Sequence, residues 1–211
     1  MIAIIDYGVG NLFSLKSSFA AIGQEAVVTS DKEVIEKAER ILLPGVGAFE
    51  DAAKKLKESG MADVVKEQAA KGKPLMGICL GMQLLFEKSY EYGEHEGLGL
   101  LKGLICPLAE DIRKDLKVPH MGWNGLDFKG EKHPLFKYIQ EGDCVYFVHS
   151  FYAKNCEDST IATVEYDADV TAAVAKGNVM GCQFHPEKSG ETGLAILKSF
   201  CEMTGKEGAL C

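Results

Sequence analysis

Pro74-Leu75-Met76-Gly77-Ile78-Cys79-Leu80-Gly81-Met82-Gln83 carries an apolar run into a Gly-x-Cys-x-Gly turn and out into helical spacing. The pattern predicts a buried strand over residues 74–78, a sharp turn at Cys79 and a helix over residues 80–86. It is a nucleophile elbow with sulfur in place of hydroxyl. Such a turn strains the backbone at Cys79 and brings the residues two before and two after it close together. Glycine tolerates that approach because it lacks Cβ. At a helix N-terminus, backbone N–H groups and the helix dipole favour a thiolate. The N–H of Leu80 would face a developing oxyanion.

On the N-terminal side, short apolar runs alternate with amphipathic stretches. Residues 2–5, 26–28 and 40–43 read as strands. Residues 11–22, 49–56 and 61–70 read as helices, the first through Leu12, Leu15, Phe19 and Ile22. Ser30 is the expected N-cap of a further short helix ending at Lys37. On the C-terminal side, residues 100–105, 144–148, 161–165, 170–174 and 179–184 are closely spaced strand candidates. Lys176-Gly177-Asn178 supplies a hairpin turn between the last two. A helix over residues 193–203 closes the pattern. The fold class is therefore α/β: a mainly parallel central sheet with helices on both faces and an antiparallel extension in the C-terminal half. No repeat, linker or low-complexity tract divides the chain, so residues 1–211 are expected to form one domain.

The chain has 211 residues and a formal net charge of −8. That charge disfavours nucleic acid as a partner. No apolar run reaches the ~18–20 residues of a membrane span. The start of the chain lacks the basic flank and cleavage site of a signal peptide, so a cytoplasmic protein is expected. The seven cysteines, Cys79, Cys106, Cys144, Cys156, Cys182, Cys201 and Cys211, form no CxxC pair. No zinc site or redox motif is implied, no cofactor is expected, and free thiols suit a reducing compartment.

His185-Pro186-Glu187 supplies a base for Cys79. Pro186 biases His185 toward extended backbone, where residues two apart face the same side. Glu187 can then accept from Nδ1 of His185 and leave Nε2 for the sulfur, the logic of a nucleophile, base and orienting carboxylate. His95, in an acidic Gly-rich loop, is expected to be exposed, and His133 to lie in a turn. Structural or substrate-positioning roles are expected for His120 and His149. Pro44-Gly45-Val46-Gly47 ends a strand with a loop able to present backbone N–H groups to an anion.

Gly77-Ile-Cys79-Leu-Gly81-Met-Gln83, His185-Pro-Glu187 and Pro44-Gly-Val-Gly47 together resemble the class I, triad-type glutamine amidotransferases. The resemblance covers essentially the whole chain. Asp6-Tyr-Gly-Val-Gly10-Asn11, Pro119-His-Met-Gly-Trp123-Asn124 and Tyr146-Phe-Val-His-Ser150-Phe-Tyr152 are similar to the subgroup of glutaminase subunits that serve histidine biosynthesis. The anthranilate and aminodeoxychorismate glutaminases share the triad and are the alternative within the family. A stand-alone cysteine hydrolase and a non-catalytic scaffold are alternatives of another class.

The resemblance implies that L-glutamine is the substrate and that Cys79 forms a γ-glutamyl thioester. It implies that His185 transfers protons and Glu187 orients it. It gives the oxyanion to Leu80 and the loop Gly45, Val46 and Gly47, and the substrate to Gln83, Ser150 and Phe151. It further implies a separate (β/α)8-barrel cyclase as heterodimer partner and ammonia channelling to it. Asn11, Trp123 and Tyr146 are candidate contacts, with Trp123 read either as an interface anchor or as a core aromatic.

Overall fold

The computed structural model describes residues 1–204; Cys211 lies outside the described residues. In chain order the strands begin with β1 (Ile2–Ile5), β2 (Ala26–Thr29), β3 (Arg40–Leu43) and β4 (Leu75–Ile78). Two short strands follow, β5 (Lys88–Ser89) and β6 (His95–Glu96), then β7 (Leu104–Pro107), β8 (His120–Gly125) and β9 (Asp127–Phe128). The last five are β10 (Cys144–His149), β11 (Phe151–Lys154), β12 (Thr160–Glu165), β13 (Asp169–Lys176) and β14 (Val179–Cys182). The α-helices are α1 (Leu12–Ala21), α2 (Lys32–Lys37), α3 (Phe49–Glu58), α4 (Met61–Ala70), α5 (Leu80–Gln83) and α6 (Gly190–Glu202).

The main sheet has the order β2-β1-β3-β4-β14-β13-β12-β9. Its first five strands run parallel and the last three extend it antiparallel, as expected. Side-chain alternation splits the core in two. Ile2, Ile4, Met76 and Ile78 pack with Leu15 and Phe19 of α1 and Leu197 and Phe200 of α6. Ala3, Ile5, Ile41 and Leu43 pack on the other face with Ile35 of α2, Phe49 and Leu56 of α3 and Val65 of α4. Each fully buried Phe or Leu contributes roughly 1.5–3 kcal/mol, so both layers are held mainly by apolar burial.

The turn between β13 and β14 sets the geometry that matters for function. Lys176 pairs with Val179, and Gly177 takes φ +59° in the intervening turn. The Asn178 side chain donates to the carbonyls of Ala69 (2.8 Å) and Lys73 (2.9 Å), tying this hairpin to the end of α4. β14 is thereby laid beside β4, with Cys182 level with Ile78. β3 flanks β4 on the other side. The segments leaving the carboxyl ends of β3, β4 and β14 are thus neighbours, the usual place for a ligand in an open α/β sheet.

Several sequence expectations need correction. Asp31, not Ser30, caps α2, accepting from the N–H of Glu33 at 2.8 Å. The helix after Cys79 is one turn long rather than reaching residue 86. The chain tightens there into i→i+3 turns, with the Leu85 N–H donating to Met82 O and the Phe86 N–H to Gln83 O, while the carbonyls of Leu84, Leu85 and Phe86 accept from Leu98, from Leu100 and Leu101, and from Gly99. The same bonds hold Leu100 and Leu101 out of a strand, so β7 begins at Leu104 rather than residue 100. The last strand ends at Cys182 and α6 starts at Gly190. Segments read only as motifs form strands: β8 pairs with β10 in a separate ribbon, and β11 joins β7, β5 and β6 in a small second sheet.

Candidate active site

Cys79 sits between β4 and α5 with φ 53° and ψ −113°, a conformation that costs a non-glycine residue energy. The elbow glycines explain how it is held. A Cβ on Gly77 would stand 2.6 Å from the Gly81 carbonyl oxygen, and one on Gly81 would fall inside the Leu43 carbonyl. A Cβ on Gly45 would stand 2.5 Å from the Gly81 nitrogen, so the loop after β3 is nested directly on the elbow. The Cys79 N–H donates to Cys182 O at 2.8 Å, carrying the β4–β14 pairing to the nucleophile itself.

His185 follows β14 and is buried, and its N–H donates to Tyr146 O at 3.0 Å. Its Nδ1 lies 2.8 Å from Oε1 of Glu187, whose carboxylate is also buried. Burial opposes charge on the imidazole. The hydrogen bond to Cys79 and then that to Glu187 outweigh burial and raise His185 to about 9. Ser189 braces the backbone here: its hydroxyl donates to His185 O at 2.7 Å and accepts from the Tyr146 N–H at 2.9 Å. The three triad residues expected from sequence are therefore brought together.

Among the other described cysteines, burial raises the thiols of Cys106, Cys156 and Cys182, and pushes Cys201 up to about 11. Cys144 is exposed. Among the described cysteines, only Cys79 lines the triad cleft. That cleft has a volume of about 370 Å³. Val46, Gly47, Leu80, Gln83, Ser150 and Phe151 line it together with Cys79 and His185. Gly45 lies beneath, against the elbow. Gln83 is buried and its amide nitrogen donates to Phe151 O at 3.0 Å.

Sequence reasoning missed three residues here. Tyr7 is buried beside Cys79, and its hydroxyl donates to Pro44 O at 2.6 Å, pinning the loop that follows β3. Burial and then Cys79 raise its phenol, which stays neutral. It lies inside the Asp6-Tyr-Gly motif, where only a resemblance had been read. Gln183 is fully buried with its amide nitrogen 3.7 Å from Cys79 Sγ. It stands two residues before His185, a spacing that shares a side in extended chain and could have been used. Glu91 lines the cleft and accepts from the Phe49 N–H at 2.8 Å, at the start of α3. No local pattern marks it.

The remaining histidines divide. His149 lines the cleft and burial pushes it down to about 3. Its Nδ1 donates to Phe151 O at 2.9 Å, and its Nε2 meets His120 Nδ1 at 3.1 Å. His120 stacks on Tyr166 and Phe147. His133 caps a turn as expected, accepting from the Leu135 N–H at 3.2 Å. His95 is half-buried rather than exposed, because its Nε2 meets Glu91 O at 3.1 Å. Trp123 is 55% exposed, which removes the core reading. It lies edge-on to the half-buried Tyr146, and Asn11 is half-buried at the start of α1.

A strained cysteine, a histidine aimed at it and a buried carboxylate behind the histidine define a cysteine-nucleophile hydrolytic site on an α/β sheet. The chain belongs to the glutamine amidotransferase class-I family, whose model matches residues 3–203. Its relatives include the imidazole glycerol phosphate synthase subunit HisH of Caldanaerobacter subterraneus, 52% identical over 96% of this chain and 98% of the relative. The HisH subunit of Lactococcus lactis is 50% identical over 95% and 98%. A crystal structure of a glutamine amidotransferase superposes with a TM-score of 0.74 at 20% identity, covering 96% of this chain and 98% of the other. The PurLQS structure from Thermotoga maritima gives 0.72 at 22%, covering 95% and 97%. These two likenesses are of fold.

Proposed function

We propose that the chain is the glutaminase subunit of imidazole glycerol phosphate synthase, acting as one domain. Near-complete alignment at about half identity to HisH subunits supports the assignment. The observation that carries the chemistry is the buried Cys79–His185–Glu187 alignment. Cys79 Sγ attacks the side-chain amide carbon of glutamine. Negative charge gathers on the former carbonyl oxygen, which accepts from the Leu80 N–H and from an N–H of the 45–47 loop. His185 gives its proton to the leaving nitrogen, the C–N bond breaks and ammonia departs. His185 then takes a proton from water, which attacks the thioester, releases glutamate and restores the sulfur. Glu187 holds the ring throughout.

Gln83, Ser150 and Phe151 hold the substrate. Glu91 and Lys188 add one negative and one positive group to the cleft, matching the two charges of an amino acid. The β8–β10 ribbon, with Met121 61% and Trp123 55% exposed beside Tyr146, is the proposed docking face for a (β/α)8-barrel cyclase, with Asn11 a further contact. That partner would receive ammonia and make imidazole glycerol phosphate and an aminoimidazole carboxamide ribotide. The peptide at 45–47 is the proposed switch: with one oxyanion donor turned away, the rate falls by about 10²–10³. Among the described residues no helix is long and apolar enough to cross a membrane, which is compatible with a cytoplasmic enzyme.

Glutamine hydrolysis by the purified chain, alone and with the cyclase plus its ribulosyl phosphate ligand, tests the reading. Strong turnover only in the full mixture is expected. High turnover by the isolated chain would instead indicate a stand-alone hydrolase.

A further inference from the structure

Gln183 is fully buried, and the hydrogen bonds around it fix which way its amide points. Phe151 O can only accept, so the Gln83 atom facing it at 3.0 Å is the amide nitrogen. The same nitrogen also lies 3.0 Å from the Gln183 side chain, which must therefore present its oxygen there. The Gln183 nitrogen is left facing Cys79 Sγ at 3.7 Å. Tyr7, also close to the sulfur, has spent its single O–H on Pro44.

We propose that Gln183 is a positioning residue for Cys79: its side-chain N–H supports the thiolate and holds it toward the cleft. The proposal rests on reading Cys79 as the nucleophile. A donor facing a thiolate makes a charge-assisted bond, roughly twice as strong as one to a neutral acceptor, so it favours the ionised sulfur. The one-turn helix α5 makes the need plain, since a single turn sums few peptide dipoles. Gln183 and His185 lie two apart on the stretch leaving β14, so one strand end delivers both the donor and the base. The Gln183 oxygen meanwhile holds Gln83, linking the sulfur's support to the cleft wall.

The test is the pH–rate profile of iodoacetamide alkylation at Cys79 in the full-length chain, read peptide by peptide by mass spectrometry. Exposed Cys144 serves as the internal standard. Gln183→Met is expected to move the Cys79 profile to higher pH relative to that of Cys144, which stays unchanged. A folded variant with the wild-type Cys79 profile would overturn the proposal. If Gln183→Met does not fold, the side-chain amide protons of Gln183 in the unaltered protein decide by NMR. They are expected to shift as Cys79 ionises and to lose that step in Cys79→Ser. No such step would overturn the proposal equally. Neither readout uses glutamine, so absence of turnover with the cyclase would sink the functional reading alone.

Discussion

Glu187→Gln keeps the shape of the triad carboxylate and removes its charge. In the native chain His185 is raised from 6.5 to about 9, against the pull of burial. At ~1.36 kcal/mol per unit, holding that proton is worth about 3 kcal/mol of folding stability. The contribution is complete below about pH 6.5, where folded and unfolded rings are both charged. It fades as pH rises and is gone above about pH 9. Cys79 makes the larger favourable contribution and Glu187 the next. The variant should therefore keep part of the shift, with His185 at least about one unit lower and, from the smaller protonated fraction alone, glutaminase turnover at pH 8 reduced about twofold or more. The ring can be titrated through its Cε1 resonance, and urea unfolding compared at pH 6 and pH 9.5. The wild type should lose about 1 kcal/mol or more beyond what the variant loses across that interval. Comparing the two proteins cancels the groups they share. A variant His185 still titrating near 9, or equal pH dependence of unfolding, would refute the coupling.

Gly81→Ala forces a methyl into the Leu43 carbonyl, a backbone atom that has no rotamer to escape through. It should cost more than about 2 kcal/mol by thermal or urea unfolding, or abolish folding. Tyr7→Phe removes the buried bond to Pro44 O. It should cost about 1 kcal/mol in stability and lower kcat more than it raises KM, because the 45–47 loop loses its anchor. Trp123→Ala should weaken cyclase binding by roughly thirtyfold or more in a titration, the loss expected of an exposed aromatic anchor.

Much of the fold was legible because β1 and β4 are short and wholly apolar and β3 is apolar after its first residue, Arg40. What escaped has physical causes. Gly122, Asn124 and Gly125 dilute the β signal of β8, whose exposed Met121 and Trp123 invert the usual pattern of apolar residues facing inward. After Gln83 the chain tightens into turns at Leu84–Phe86, whose carbonyls pair with residues 98–101, a long-range contact invisible to local periodicity. The triad was readable from Gly77, Gly81 and the His185-Pro186-Glu187 spacing, since each constrains the backbone locally. Gln183 offered only its two-residue spacing to His185, since the Gln83 that orients its amide lies a hundred residues away in the chain.

The central claim is that Cys79 is the one cysteine made into a nucleophile. Incubating the chain, with the proposed cyclase and its ligand, with a diazoketone analogue of glutamine and mapping the adduct by peptide mass spectrometry tests it directly. The account predicts one adduct per chain, on the peptide containing Cys79, lost in Cys79→Ser and slowed in Glu187→Gln. An adduct on Cys144 or any other cysteine, with Cys79 unmodified, would contradict it.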